Sequence, residues 1–464
     1  MRLLVKNWQW VLPLGLLSLL IRAICFTGLV GSDDLGYYHY AHLLSQHLYF
    51  PELHHYAIRY GLTIPVAFVY GVFGTTEWTT EVVPYVASVA SVLVLVVIGN
   101  KLFGFRAGMI AGLLLATFPL SIRFATILVP ESVAEIYVLI AIALYLYAEG
   151  QYSLVFAMAS GIFLAFAYLA KEWTVFVVPA VLIDAVAERR WRVCFGVAAG
   201  ATAIVAVEHI YYLASTGDLL FRAHALAHAT KDPSAIEENR NLFRRLFTHY
   251  PKMMLMPGRN FGLHSCFALV LVPAAFFTVR WRQLRLLILW ALLPFLYLDF
   301  GSMSFSHYVA VFSQPRYLEI IYPPLFLMAG AVIDRSAARG GRTLSLIALP
   351  VVAVIGCYCA FLTRATGFGT HHVAAIRSIV KDARDRHLTT IRFEVPGKNL
   401  EDQGRMESKP LRSRPPSDDL IDRWRTIMSI LAPEIQSTNA GQYDMLVRPN
   451  ALGVPTIVGS DHSR

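Results

Sequence analysis

Two adjacent carboxylates, Asp33 and Asp34, stand at the end of the first long apolar run, residues 8–30. That run has the length of a membrane helix, so the pair sits where the chain leaves the hydrocarbon. A carboxylate at that depth is costly unless it faces water or a protein-lined cavity, which makes it a functional candidate. Neighbouring residues point in different directions, so one Asp is expected in a cavity and the other in a supporting role. The competing reading is a polar loop start, with Tyr37, Tyr38 and Tyr40 forming an interfacial aromatic belt.

The elements that must position these groups follow from composition. Of 464 residues, 56% are hydrophobic and 15% charged, and the mean hydropathy is +0.52. Such a chain is too apolar for a soluble protein of this length and reads as a polytopic membrane protein. Its net charge of +9 does not point to nucleic acid, because the basic residues cluster in short loops between apolar runs. The five cysteines have neither disulfide-framework nor zinc-ligand spacing, and Arg2 and Lys6 before the first run read as the start of an uncleaved anchor.

After the first run, residues 31–80 are polar and aromatic, with Tyr60–Gly74 expected as an interfacial or re-entrant segment. Spans are predicted at roughly 81–99, 106–122, 127–148, 153–170, 172–187, 193–213, 261–279, 286–299, 317–333 and 343–362, about eleven with the first. Lys101 and Arg106, the group Arg189, Arg190 and Arg192, the group Arg280, Arg282 and Arg285, and the group Arg335, Arg339 and Arg342 fall in alternate loops. The positive-inside rule then puts the N-terminus in the cytoplasm. Residues 31–80, 214–260 and the tail fall on the outer face. The expected organisation is a mainly α membrane bundle over residues 1–363 and a small extracytoplasmic α/β domain over 364–464. In that domain Thr389–Val395 and Asp444–Arg448 read as strands and Leu420–Ala432 as an amphipathic helix. Residues 401–418 read as a flexible loop.

The polar groups that call for explanation fall on the same side as Asp33. They include Arg59, Arg123, Glu131, Glu135, Lys171, Glu172, Arg222, Arg240, Arg244, Arg245, His307, Gln314, Arg316 and Tyr317. Carboxylates and cations at one membrane face suit a lipid-linked anion: a phosphate leaving group needs its charge held, and a hydroxyl or amine nucleophile needs a base. Structural alternatives stand beside this. Lys171 and Glu172 can form an ion pair at a helix junction. Glu131 after Pro130 can be a dipole-stabilised N-terminal acid, and His54 and His55 can be solvated loop residues.

Asp33-Asp34-x-x-Tyr37-x-x-x-Ala41 resembles the Asp-Glu-x-x-Tyr-x-x-x-Ala signature of PMT-type GT-C glycosyltransferases. That group includes protein O-mannosyltransferases, the aminoarabinose transferase acting on lipid A, and Rgt-type enzymes acting on lipopolysaccharide cores. Further similar segments follow in order: Arg59-Tyr-Gly-Leu-Thr-Ile-Pro65, Leu102-Phe103-Gly104, Val129-Pro130-Glu131, Ala170-Lys171-Glu172, and Arg316-Tyr317 with Pro323-Pro324. The resemblance covers roughly residues 8–335, departs from the pattern in having Asp34 for Glu, and leaves the tail unmatched.

The resemblance implies a GT-C bundle in a bacterial inner membrane. Its donor would be a polyprenyl-phosphate sugar and its acceptor a lipid, glycan or protein. Asp33 and Asp34 would be the catalytic pair, with Asp33 the base and Asp34 in support. Arg59, Lys171 and Arg316 would hold the donor phosphate, and Tyr37, Glu131, Tyr317 and His307 would line the pocket. Some relatives use a divalent metal; the many cations here favour chemistry without one. A transporter of a lipid-linked or sugar substrate is the alternative, with ionisable groups expected at mid-membrane.

Overall fold

The computed structural model describes residues 7–229, 245, 247–256, 258–303, 308–311, 313–338, 344–364, 370–393, 416–438, 444–449 and 455–459. Each apolar run becomes helical. In chain order the first helices are α1 (Trp8–Ile24), α2 (Asp33–Ser45), α3 (Tyr60–Phe73), α4 (Glu77–Leu102), α5 (Phe105–Ala116), α6 (Pro119–Phe124) and α7 (Glu131–Tyr147). They are followed by α8 (Ser153–Ala170), α9 (Val177–Ala187), α10 (Trp191–Thr216), α11 (Phe221–Ala229) and α12 (Tyr250–Leu255). The bundle closes with α13 (His264–Thr278), α14 (Trp281–Phe300), α15 (Tyr322–Ala338) and α16 (Leu349–Thr363).

Among the described residues, six helical stretches are long and apolar enough to cross a membrane: Glu77–Leu102, Gly150–Ala170, Trp191–Thr216, Trp281–Phe300, Pro315–Ala338 and Leu346–Thr363. Several predicted spans form shorter helices because the chain is interrupted. The span predicted at 106–122 breaks after Ala116, and Pro119, which lacks a backbone donor, restarts it as α6. Residues 31–80, read as an outer-face stretch with an interfacial or re-entrant segment at Tyr60–Gly74, hold two helices: α2 begins at Asp33 itself, and Tyr60–Gly74 contains the 14-residue helix α3.

Lipid offers little hydrophobic drive between helices, so close packing holds the bundle together. The contact of α8 with α10 shows how. A Cβ built on Gly161 would lie 2.1 Å from the Val197 carbonyl oxygen, and one on Gly200 would lie 2.1 Å from that of Met158. Neither distance is tolerable, so glycine at both positions lets the two backbones meet.

The tail contributes α17 (Thr370–Asp385), α18 (Pro416–Leu431) and a four-stranded sheet. Its strands are β1 (Thr390–Phe393), β2 (Gln436–Thr438), β3 (Met445–Pro449) and β4 (Pro455–Gly459), in the order β2-β1-β3-β4. β1 pairs parallel with β2 and β3, and β3 pairs antiparallel with β4. Ile376, Ile379 and Ala383 of α17 and Trp424, Ile427 and Met428 of α18 are buried against Ile391 and Phe393. That core is continuous with Leu35 and Tyr38 of α2, so the domain seats on the helix that carries Asp33. The loop expected at 401–418 falls mainly outside the described residues.

Candidate functional site

The two aspartates at the start of α2 have different surroundings. Asp34, 1% exposed, accepts three backbone N–H bonds: from Val30 (2.6 Å) and Gly31 (3.0 Å) to Oδ2, and from Ser32 (2.5 Å) to Oδ1. Its oxygens are thus committed to the strap joining α1 to α2. Burial raises the Asp34 carboxyl above its ordinary range, partly offset by those bonds. Asp34, grouped with Asp33 in the expected catalytic pair, is thus tied to backbone N–H groups and to no side chain in these bonds.

The Asp33 side chain is 30% exposed. It accepts from the Tyr56 hydroxyl at Oδ1 and from Arg316 Nη2 at Oδ2, both at 2.6 Å. Burial opposes its ionisation, but the Arg316 guanidinium and the Tyr56 bond outweigh it and hold the carboxyl well below the usual carboxylate range. The Tyr56 ring lies against α2 at Gly36, where a Cβ would come within 2.3 Å of the ring. It also meets the Tyr37 ring edge-on at 4.8 Å.

Arg316, on a 3-10 turn (Pro315–Ile321) ahead of α15, bridges two carboxylates: its Nε lies 3.4 Å from Glu131 Oε1. Glu131 opens α7 and accepts from Lys171 Nζ at 3.0 Å, with the two side chains 1% and 2% exposed. Glu131 is thus a helix-start acid, as one sequence reading had it, paired with a buried lysine. Tyr317 lies between the two cations, with Lys171 Nζ 4.4 Å and the Arg316 guanidinium 5.6 Å from its ring centre.

The alternative of a Lys171–Glu172 ion pair is not what forms. A 3-10 turn (Glu172–Phe176) begins directly after Lys171 and sends the two side chains to different partners. Glu172 pairs with Arg59 (3.2 Å) and lies 3.6 Å from Arg222, whose Nη2 is 2.6 Å from Glu208. Arg59 also donates to the Tyr37 hydroxyl. The charges therefore form two strings, Asp33–Arg316–Glu131–Lys171 and Arg59–Glu172–Arg222–Glu208, which meet in the chain at Lys171 and Glu172.

His307, Arg240 and Arg244 lie outside the described residues. Arg245, fully buried, is held away from the Asp33 array by bonds to the Tyr308 hydroxyl (3.3 Å) and the Val311 carbonyl (3.1 Å). Arg123 donates to Asn260 at 3.1 Å. His54 and His55, read as solvated loop residues, are half-buried: their rings stack at 4.7 Å, and His55 packs 3.9 Å from the Tyr56 ring. Burial, with His54 beside it, lowers the His55 imidazole to about 4.

Sequence reasoning missed Tyr56, which no spacing rule singles out, and Glu319. Glu319 lies one 3-10 turn beyond Arg316, a period that could have flagged it; it is fully buried and accepts from Ser132 at 3.0 Å. Arg22, within α1, is fully buried and donates to Ser88 (2.8 Å), Ser18 (2.7 Å) and Ser121 (3.1 Å). Among the described residues, no group of three or more His, Cys, Asp or Glu side chains is placed to share a metal ion.

Residues 65–212 match the sequence pattern of the dolichyl-phosphate-mannose-protein mannosyltransferase family. This stretch includes Glu131, Lys171, Glu172 and Glu208 but not Asp33, Arg59 or Arg316. No match was found among curated proteins. Among solved structures, ArnT from Cupriavidus metallidurans in the apo state superposes with a TM-score of 0.60 at 14% identity, covering 96% of this chain and 94% of that one. The same protein bound to undecaprenyl phosphate gives 0.57, with the same identity and coverage. The Archaeoglobus fulgidus oligosaccharyltransferase, in complex with Zn and sulfate, gives 0.53 at 14% identity. It matches 83% of this chain, which spans 60% of that longer protein. At these identities the likeness is one of fold. The chain shares the GT-C fold of these structures and, over residues 65–212, matches the sequence pattern of that mannosyltransferase family.

Proposed function

We propose that the protein is a multi-pass membrane glycosyltransferase that moves a sugar from a polyprenyl-phosphate carrier to a hydroxyl or amine acceptor. The observation that carries this reading is Arg316, which is 2.6 Å from Asp33 and 3.4 Å from Glu131, itself bonded to Lys171. A base and the cations suited to a phosphate thus form one connected array. The likeness to ArnT bound to undecaprenyl phosphate supports a lipid-phosphate donor.

Without donor, Arg316 holds Asp33 as a weakly basic carboxylate. A donor phosphate would compete for Arg316 and Lys171, loosening the hold on Asp33 and raising its basicity at the moment a base is needed. Asp33 then takes the acceptor proton, the acceptor atom bonds to the anomeric carbon from the face opposite the phosphate, and the carbon–oxygen bond to phosphate breaks. The phosphate leaves with one more negative charge than it brought. Lys171, Arg316 and Arg59 are in reach to stabilise that charge, and Tyr37 and Tyr317 wall the space beside them.

The donor set around Asp33 does not fit a divalent cation, because one oxygen faces a guanidinium and the other a phenol. The proposed reaction therefore runs on side-chain cations. The proposed setting is the bacterial inner membrane, with the N-terminus cytoplasmic and the site and tail outside.

The test uses membranes containing wild type or Asp33→Asn, a radiolabelled polyprenyl-phosphate sugar pool and a cell-envelope acceptor extract. Transfer by the wild type alone is expected. Equal transfer by an Asp33→Asn protein that unfolds at the wild-type temperature would overturn the assignment of the base.

A further inference from the structure

We propose that the junction between the membrane bundle and the C-terminal domain binds the phosphate of an anionic lipid headgroup, through Arg364, Arg377, Lys381 and His371. A cavity of about 410 Å³ opens there. Phe26 and Leu29 wall it on the segment leaving α1, Arg364 at the end of α16, and His371 and Arg377 on α17. Because α1 and α16 both end at this level, the cavity lies where membrane helices emerge, at the height of lipid headgroups.

A second cavity, of about 320 Å³, continues beyond Arg377 and is lined by Lys381 and Arg384. Arg377, Lys381 and Arg384 are spaced four and three residues apart and share one face of α17, while Ile376, Ile379 and Ala383 enter the domain core. Their counter-charges are unequal. Arg377 pairs with Glu77, and Arg384 is 2.6 Å from Glu434. Arg364 and Lys381 have no acidic ion-pair partner among the described residues, and Asp385 is the other acid on these walls. The Arg364 guanidinium lies 3.8 Å from the centre of the Phe361 ring, a cation resting on apolar surface at the membrane boundary.

Excess positive charge next to Phe26 and Leu29 suits a group that is anionic at one end and apolar at the other. A phosphodiester headgroup with its glycerol and first methylenes is such a group; free phosphate offers only the charge. The occupant would also touch the strap of the catalytic face. Leu29 N–H donates to Glu77 at 3.2 Å, and the next two residues donate to Asp34. This site stands independently of the transfer reaction.

The experiment is native mass spectrometry of the full-length protein released from zwitterionic detergent, offered equal phosphatidylglycerol and phosphatidylcholine. The wild type is expected to retain phosphatidylglycerol preferentially. R364Q/K381Q, which leaves the Arg377–Glu77 pair intact, is expected to weaken that retention about twenty-fivefold, roughly fivefold for each cation, without changing phosphatidylcholine retention. Unchanged phosphatidylglycerol retention in a double variant that melts at the wild-type temperature overturns the proposal. Excess inorganic phosphate is expected to leave the lipid bound; displacement would overturn the lipid assignment and leave a simple anion site.

Discussion

Replacing Glu131 by Gln keeps the side chain's shape and removes its charge. Glu131 Oε1 is 3.0 Å from Lys171 Nζ and 3.4 Å from Arg316 Nε. At an effective dielectric of about 20, those separations correspond to roughly 5 kcal/mol of attraction each. Much of that offsets the cost of taking the charges out of water. Arg316 keeps Asp33 as a partner after the substitution, whereas Lys171, 2% exposed, loses its carboxylate. Breaking a buried pair in this way costs about 3–5 kcal/mol, and the lost helix-start charge adds roughly 0.3–1 kcal/mol. In detergent, the apparent Tm of Glu131→Gln should fall by about 5–10 °C. Added polyprenyl phosphate supplies the missing negative charge, so it should raise the Tm of Glu131→Gln more than that of the wild type. Thermal unfolding with and without the lipid phosphate measures both effects. An unchanged Tm would refute the buried pair, and equal lipid-induced shifts would refute phosphate binding at Lys171 and Arg316.

Arg316→Gln removes the cation that outweighs burial at Asp33, so the Asp33 carboxyl rises. The acid limb of kcat/KM should move to higher pH, so that activity falls more at acid than at alkaline pH; a parallel drop at all pH values counts against Asp33 as base. His55, neutral in the fold and lowered to about 4, has a depressed folded value. Its contribution is full above about 6.5, the unfolded value, and is lost as pH falls toward 4, on the order of 2–3 kcal/mol. Stability measured from pH 7 to 4 should fall less steeply in His55→Gln. Gly161→Val would drive a side chain into the Val197 carbonyl oxygen, which lies 2.1 Å from where the Cβ would stand. A cost of about 3 kcal/mol or more is expected, read as a lower Tm or loss of folded protein; wild-type stability would show that α8 and α10 can separate freely.

Some of this molecule could be read along the chain because the physics involved is local. A bilayer demands long apolar runs, so the helices from Trp8 to Thr363 follow from hydropathy, and the amphipathic pattern around Trp424 foretells α18. The cost of a carboxylate at a membrane exit likewise singles out Asp33, and adjacency alone implies that Asp34 points elsewhere. Pairing was not legible. Lys171 and Glu172 are neighbours in sequence, yet the turn between them directs one to Glu131 on α7 and the other to Arg59 ahead of α3 and Arg222 on α11. Tyr56 carries no periodic signal, and its role arises because Gly36 admits its ring against α2. Which charges neutralise one another, and how much of Asp33 stays exposed, depends on distances between helices far apart in sequence. Electrostatic energy is set by those distances and by burial. The chain's local pattern thus determines what crosses the membrane and which groups are costly there; only the packed bundle decides which groups share the cost.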